Sequence, residues 1–85
     1  MTMYIVYVIY SVSFDKIYIG YTQNLEQRFL SHNEKAIKGY TIRFRPWKIV
    51  YTEIYNAKKE ALKREKQLKS AKGREFIWNL IKSKK

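Results

Sequence analysis

Arg28 and His32 stand four residues apart in a stretch of helical apolar spacing, so both project from one side, near an inward Leu25–Phe29 stripe. A guanidinium and an imidazole so placed can bind an anion and handle a proton; the same pair also reads as a solvated helix flank. Glu65 is more pointed. On a later helical stretch its i−4, i−3 and i+3 neighbours are Ala61, Leu62 and Leu68, with Lys69 the one polar member of the ring. A carboxylate in a core-facing stripe is costly unless it is paired or bound to a cation. Helix geometry leaves two readings open: a buried salt bridge, with Arg28 as a partner, or a ligand for a hard divalent cation at a cleft floor. Among the eight tyrosines, Tyr7 and Tyr18 are set apart because a hairpin would bring them onto neighbouring strands. Tyr4, Tyr10, Tyr40, Tyr51 and Tyr55 read as packing. A phenol in a strongly positive site has its ionised form favoured, which makes it a candidate general base. With one histidine and no cysteine, a cage of several imidazoles, a cysteine-based zinc site and a thiol nucleophile are excluded.

The elements that must hold these groups follow from periodicity. Residues 3–11 (MYIVYVIYS) are β-branched and aromatic throughout, which predicts a central strand buried on both faces. Ile5, Tyr7 and Ile9 share one face, and Tyr4, Val6, Val8 and Tyr10 the other. A turn over 12–16 leads into a second strand, KIYIGYT (16–22), completing a hairpin. Gly20 inside that strand marks a bulge or a close approach by another backbone or a ligand. Thr22 or Asn24 caps a helix over about 24–36, Asn24 and Gln27 having capping-box spacing. The stretch KGYTIRFRP reads as a basic connecting loop, and residues 47–55 (WKIVYTEIY) as a third strand of either orientation. Asn56 caps a helix over about 57–70, residues 70–73 form a hinge, and a final helix covers about 74–82. The last four residues read as a frayed tail. The order β-β-α-β-α-α is that of a single α+β domain over residues 1–85.

Charge is lopsided. The chain has 85 residues and a net charge of +11, of which residues 1–42 contribute +1 and residues 43–85 contribute +10. A strongly basic half joined to a nearly neutral one points to a polyanion, nucleic acid before a membrane, since no helix sets a wide apolar face against a basic one. No run has the length of a membrane span, and an acidic residue at position 15 argues against a signal peptide. The expectation is a soluble, cytoplasmic, nucleoid-associated protein without membrane contact.

Tyr18-Ile19-Gly20, preceded by Tyr7 and followed by Arg28, His32 and a helical Glu65, resembles the GIY-YIG nuclease domain. The segments YVIYS, KIYIGYT, RFLSHN, RPWKIVY, EALKREKQLKS and KGREFI, in that order, resemble its small stand-alone, UvrC-like branch over nearly the whole chain. The second motif is intact. The first reads Ile5-Val6-Tyr7, without its glycine; a rival register ending at Tyr10 would put the phenol on the opposite face. Asn79 is the candidate for the family's late asparagine.

The resemblance implies a small central antiparallel three-stranded sheet flanked by about three helices. It also implies hydrolysis of DNA phosphodiester bonds with one Mg²⁺ or Mn²⁺ ion. Tyr7 would take a proton from the attacking water, Tyr18 and His32 would orient or activate Tyr7, and Arg28 would hold the scissile phosphate. Glu65 would anchor the metal. The nucleic-acid-binding surface would comprise Lys16, Arg43, Arg45, Lys58, Lys59, Lys63, Arg64, Lys66, Lys69, Lys72 and Arg74, which track a backbone without reading sequence. Cutting would then be structure-selective or weakly sequence-selective. Two other readings are an inert nucleic-acid-binding module with the same fold and a nuclease subunit whose specificity comes from a protein partner. A homodimer through an edge strand or the Phe76–Ile81 helix is a further possibility for assembly.

Overall fold

A computed structural model describes residues 3–35 and 39–83. Three antiparallel strands, β1 (Tyr4–Ser11), β2 (Lys16–Thr22) and β3 (Lys48–Tyr55), form one sheet in the order β2-β1-β3. The apolar run of β1 therefore lies in the centre, where Val6 to Ser11 are all buried. Both pairings are antiparallel, which settles the orientation of β3. An irregularity between Val8 and Ile9 shifts the β1–β3 register.

The two faces of β1 feed two cores. Val6, Val8 and Tyr10 pack with Ile17, Ile19, Ala61, Leu68, Ile77 and Ile81 beneath helices α2 (Lys58–Lys69) and α3 (Ala71–Ser83). Tyr7 and Ile9 pack on the other face with Trp47, flanked by Tyr18, Leu25, Phe29 and Phe44. Tyr10 thus lies opposite Tyr7, where its hydroxyl donates to Asp15 at 2.8 Å.

Helix α1 (Leu25–Leu30) is shorter than predicted. Asn24 caps it, accepting the Gln27 N–H at 3.1 Å, but after Leu30 the backbone widens into a π-helical segment, Ser31–Lys35. Residue 36, the last of the predicted helix, lies outside the described residues. The predicted basic loop holds a 3₁₀ turn, Tyr40–Phe44, locked to the π segment from several sides. Arg45 donates to the carbonyls of Ser31 and His32 at 3.2 and 2.8 Å. Asn33 accepts the Trp47 N–H and donates to its carbonyl, and the Trp47 indole N–H donates to the Thr41 carbonyl at 2.7 Å. Trp47 is consequently a buried anchor ahead of β3 rather than its first residue.

Two helix boundaries also move. The N-cap of α2 is Ala57, without a side-chain cap, so Asn56 does not cap it. The hinge shrinks to Ser70, whose hydroxyl donates to the Gln67 carbonyl that ends α2 and accepts the Gly73 N–H that opens α3. The expected tail is helical as far as Ser83; residues 84 and 85 lie outside the described residues. On β3, Glu53 accepts from Tyr51, Tyr55 and Arg64, the last at 2.9 Å, which fastens the strand to α2. No helix among the described residues is long and apolar enough to cross a membrane.

Candidate active site

Gly20 sits opposite Tyr7 across the β1–β2 ladder. A Cβ there would lie 2.7 Å from the Tyr7 hydroxyl and 2.9 Å from the ring carbon that bears it. The glycine leaves room for the Tyr7 ring to lie over β2, so the close approach inferred from sequence is made by a side chain. Tyr18, two residues earlier on the same face, brings its ring centroid to 6.4 Å from that of Tyr7.

Tyr7 is buried, and its hydroxyl is 2.7 Å from His32 Nε2. The other ring nitrogen, Nδ1, is 2.9 Å from the hydroxyl of Thr41. His32 is itself 5% exposed. Burial, reinforced by the charges of Arg28 and Arg45, lowers its pKa to about 4, so the ring is neutral at physiological pH. A neutral imidazole donates at one nitrogen and accepts at the other, and here each nitrogen has a hydroxyl partner. The chain Tyr7–His32–Thr41 runs from the sheet through the π segment to the 3₁₀ turn. Thr41 was not legible as a site residue, because a lone threonine in a basic, aperiodic stretch carries no signal of its own.

Arg28 is exposed on α1 and interacts electrostatically with Tyr7 and Tyr18, which hold its pKa above the ordinary value. The expectation of an easily ionised phenol fails for Tyr7. Burial pushes its pKa up to about 12, and the opposing pull of Arg28 does not compensate. Desolvation of a phenolate outweighs one neighbouring cation. Tyr18, Arg28, Ser31, His32, Gly39, Tyr40 and Thr41 line an open pocket of about 170 Å³, with Tyr7 behind its wall. Asn79 lines a separate concavity with Lys72, Glu75 and Phe76.

Glu65 occupies the helical stripe between buried Ala61 and Leu68, although Leu62 is 40% exposed. Its carboxylate acts electrostatically on Tyr7. The side chain is 18% exposed, and its ion pair is with Lys69 at 3.8 Å, an exposed neighbour one turn on, rather than Arg28. Among the described residues no three histidine, cysteine or acidic side chains cluster as a metal cage. A single half-buried carboxylate nevertheless fits a magnesium-like ion, which commonly takes one or two protein carboxylates and completes its shell with phosphate oxygens and water.

Of the expected binding residues, Lys16, Arg43, Lys58, Lys59, Lys63, Lys66, Lys69, Lys72 and Arg74 are exposed. Arg45 and Arg64 are half-buried and engaged inside the molecule, with backbone carbonyls and with Glu53 respectively.

Residues 3–79 match the family described as the GIY-YIG catalytic domain. A UPF0213 protein of Staphylococcus saprophyticus is 41% identical over 54 residues, 64% of this chain and 66% of the relative. A UPF0213 protein of Staphylococcus aureus is 37% identical over 70 residues, 82% of this chain and 84% of the relative. The solution NMR structure of a UPF0213 protein from Bacillus halodurans superposes with a TM-score of 0.55 at 25% identity, covering 92% of this chain and 84% of that one. That likeness agrees with the three-stranded sheet and its helices. The GIY-YIG domain is that of a nuclease superfamily whose members act on nucleic acid and generally depend on divalent metal. With its tyrosine-lined hairpin and a match running almost end to end, this chain belongs to the GIY-YIG family and, within it, to the UPF0213 proteins.

Proposed function

We propose that the protein is an endonuclease that hydrolyses DNA phosphodiester bonds, with structure selectivity or weak sequence selectivity and one Mg²⁺ or Mn²⁺ ion. The observation that carries this reading is the grouping of Tyr18, Arg28 and His32 around one pocket with Tyr7 hydrogen-bonded to His32, and with the Glu65 carboxylate near enough to act electrostatically on Tyr7. Glu65 would hold the ion, which when bound polarises the scissile phosphate and stabilises the leaving oxygen. Arg28 would bind that phosphate, stabilising charge on its oxygens.

With its pKa pushed up to about 12, Tyr7 is protonated at neutral pH and can accept a proton from water only as its own is passed on. His32 is the neighbour placed to receive it. With Nδ1–H donated to Thr41 and Nε2 accepting from Tyr7, the Tyr7 proton passes to Nε2 as the Tyr7 oxygen takes one from the attacking water. Tyr18 fixes the geometry of this group from the pocket side. The exposed cations of α2 and α3 would carry the flanking phosphates, a contact that weakens steeply with salt.

The Lys69–Glu65 contact favours a second reading, an inert binding module in which the carboxylate is simply neutralised. Incubation of branched, nicked and linear DNA with Mg²⁺ or Mn²⁺ separates the two. Cleavage by the wild type that is lost in Glu65→Ala and Arg28→Ala supports hydrolysis. Binding of every substrate with no cleavage supports the inert module.

A further inference from the structure

Beyond the pocket, a row of rings leads outward over the molecular surface. Tyr18 stacks with Tyr40, centroids 6.4 Å apart and planes 27° apart. Tyr40 meets Phe44 at 4.8 Å, and Phe44 meets Phe14 edge-on at 5.4 Å. The Lys16 ammonium stands 5.8 Å from the centre of the Phe44 ring. Packing accounts for Phe44, which flanks the core around Tyr7, Ile9 and Trp47. It does not account for Phe14 and Tyr40, each of which remains 49% exposed.

Both open rings are held in place. Phe14 lies in the β1–β2 turn, where Asp15 adopts a positive φ of 54° and accepts from Tyr10, and the Phe14 N–H donates to Ser11 Oγ. Tyr40 begins the 3₁₀ turn that also carries Thr41, the partner of His32. A second concavity, lined by Tyr18, Tyr40, Lys69 and Arg74 with Ile17 and Ile19, lies beside the same Tyr40 ring. Fixed aromatic faces beside cations are the means by which proteins hold single-stranded nucleic acid: bases stack on rings while the backbone follows the charge. A duplex keeps its bases stacked on one another and offers such rings nothing.

We infer that Tyr40, Phe44 and Phe14 form a stacking platform for unpaired bases beside the scissile phosphate, which makes DNA with a single-stranded segment the substrate class. This rests on the endonuclease reading for the word substrate, but the platform itself can be tested without turnover. Lys69 and Arg74 carry the backbone on one side of Tyr40, and Lys16 carries it beside Phe44.

The test is binding by fluorescence anisotropy without divalent cations, using short oligothymidine, a strand of equal length built entirely of abasic sites, and a duplex. The wild type is expected to prefer oligothymidine to the abasic strand by about tenfold. Tyr40→Leu and Phe14→Leu should each reduce that preference, and Tyr40→Phe, which keeps the ring, should retain it. Equal affinity of the wild type for the two single strands overturns the platform, as does a preference that survives both leucine substitutions. Because nothing is cleaved, a failure here leaves the endonuclease reading standing, and a failure of cleavage leaves the platform standing.

Discussion

His32 is the buried imidazole between Tyr7 and Thr41, and its burial has a cost that pH can expose. Its pKa in the folded protein is about 4, against 6.5 as the ordinary value. Between these values the unfolded chain binds a proton that the folded one does not. The contribution to stability is therefore complete above pH 6.5 and declines as pH falls towards 4, by up to about 3 kcal/mol. Thermal melts from pH 7 to pH 4 should fall more steeply for the wild type than for His32→Gln. Parallel curves would mean that His32 titrates normally and is not buried as described. The face of β1 that Tyr7 occupies was legible from strand parity, but its place opposite Gly20 and the direction of its pKa were not, because the net charge of a sequence does not reveal how deeply one hydroxyl is buried.

At the level of elements, the three strands, the hairpin and both long helices could be read from β-branched runs and apolar periodicity. Residues 31–35 and 39–47 could not. Their structure comes from long-range hydrogen bonds, Asn33 to Trp47 and Arg45 to the Ser31 and His32 carbonyls, which leave no periodic trace. The π widening at Ser31–Lys35 is likewise a tertiary effect, and such segments recur at functional sites. The α2–α3 corner supplies the sharpest mechanical prediction. A Cβ on Gly73 would lie 2.2 Å from the Gln67 carbonyl oxygen and 2.5 Å from the Leu68 Cα, both backbone atoms that cannot rotate away. Gly73→Ala should therefore displace α3 from the sheet and cost about 3 kcal/mol, read as a lower urea midpoint. An unchanged midpoint would show that the corner yields without strain.

Across the whole molecule, the sheet divides the work. One face is closed by α2 and α3 over an apolar core, while the other holds a phenol, an imidazole and a guanidinium under a short helix and a 3₁₀ turn. Glu65 lies on the helix whose Ala61 and Leu68 fill the opposite core, and its charge adds to the upward shift of the Tyr7 pKa. The net charge of +11 is of the sign that attracts a polyanion, and most of the exposed cations lie on α2 and α3. In the proposed reaction these groups act together on a phosphodiester bond, with Tyr7 as the proton acceptor. Single-turnover cleavage of end-labelled DNA in Mg²⁺ checks this by comparing the wild type with Tyr7→Phe, which keeps the ring over Gly20 and deletes the hydroxyl. A rate lower by about a hundredfold or more is predicted for the variant; equal rates would contradict the account.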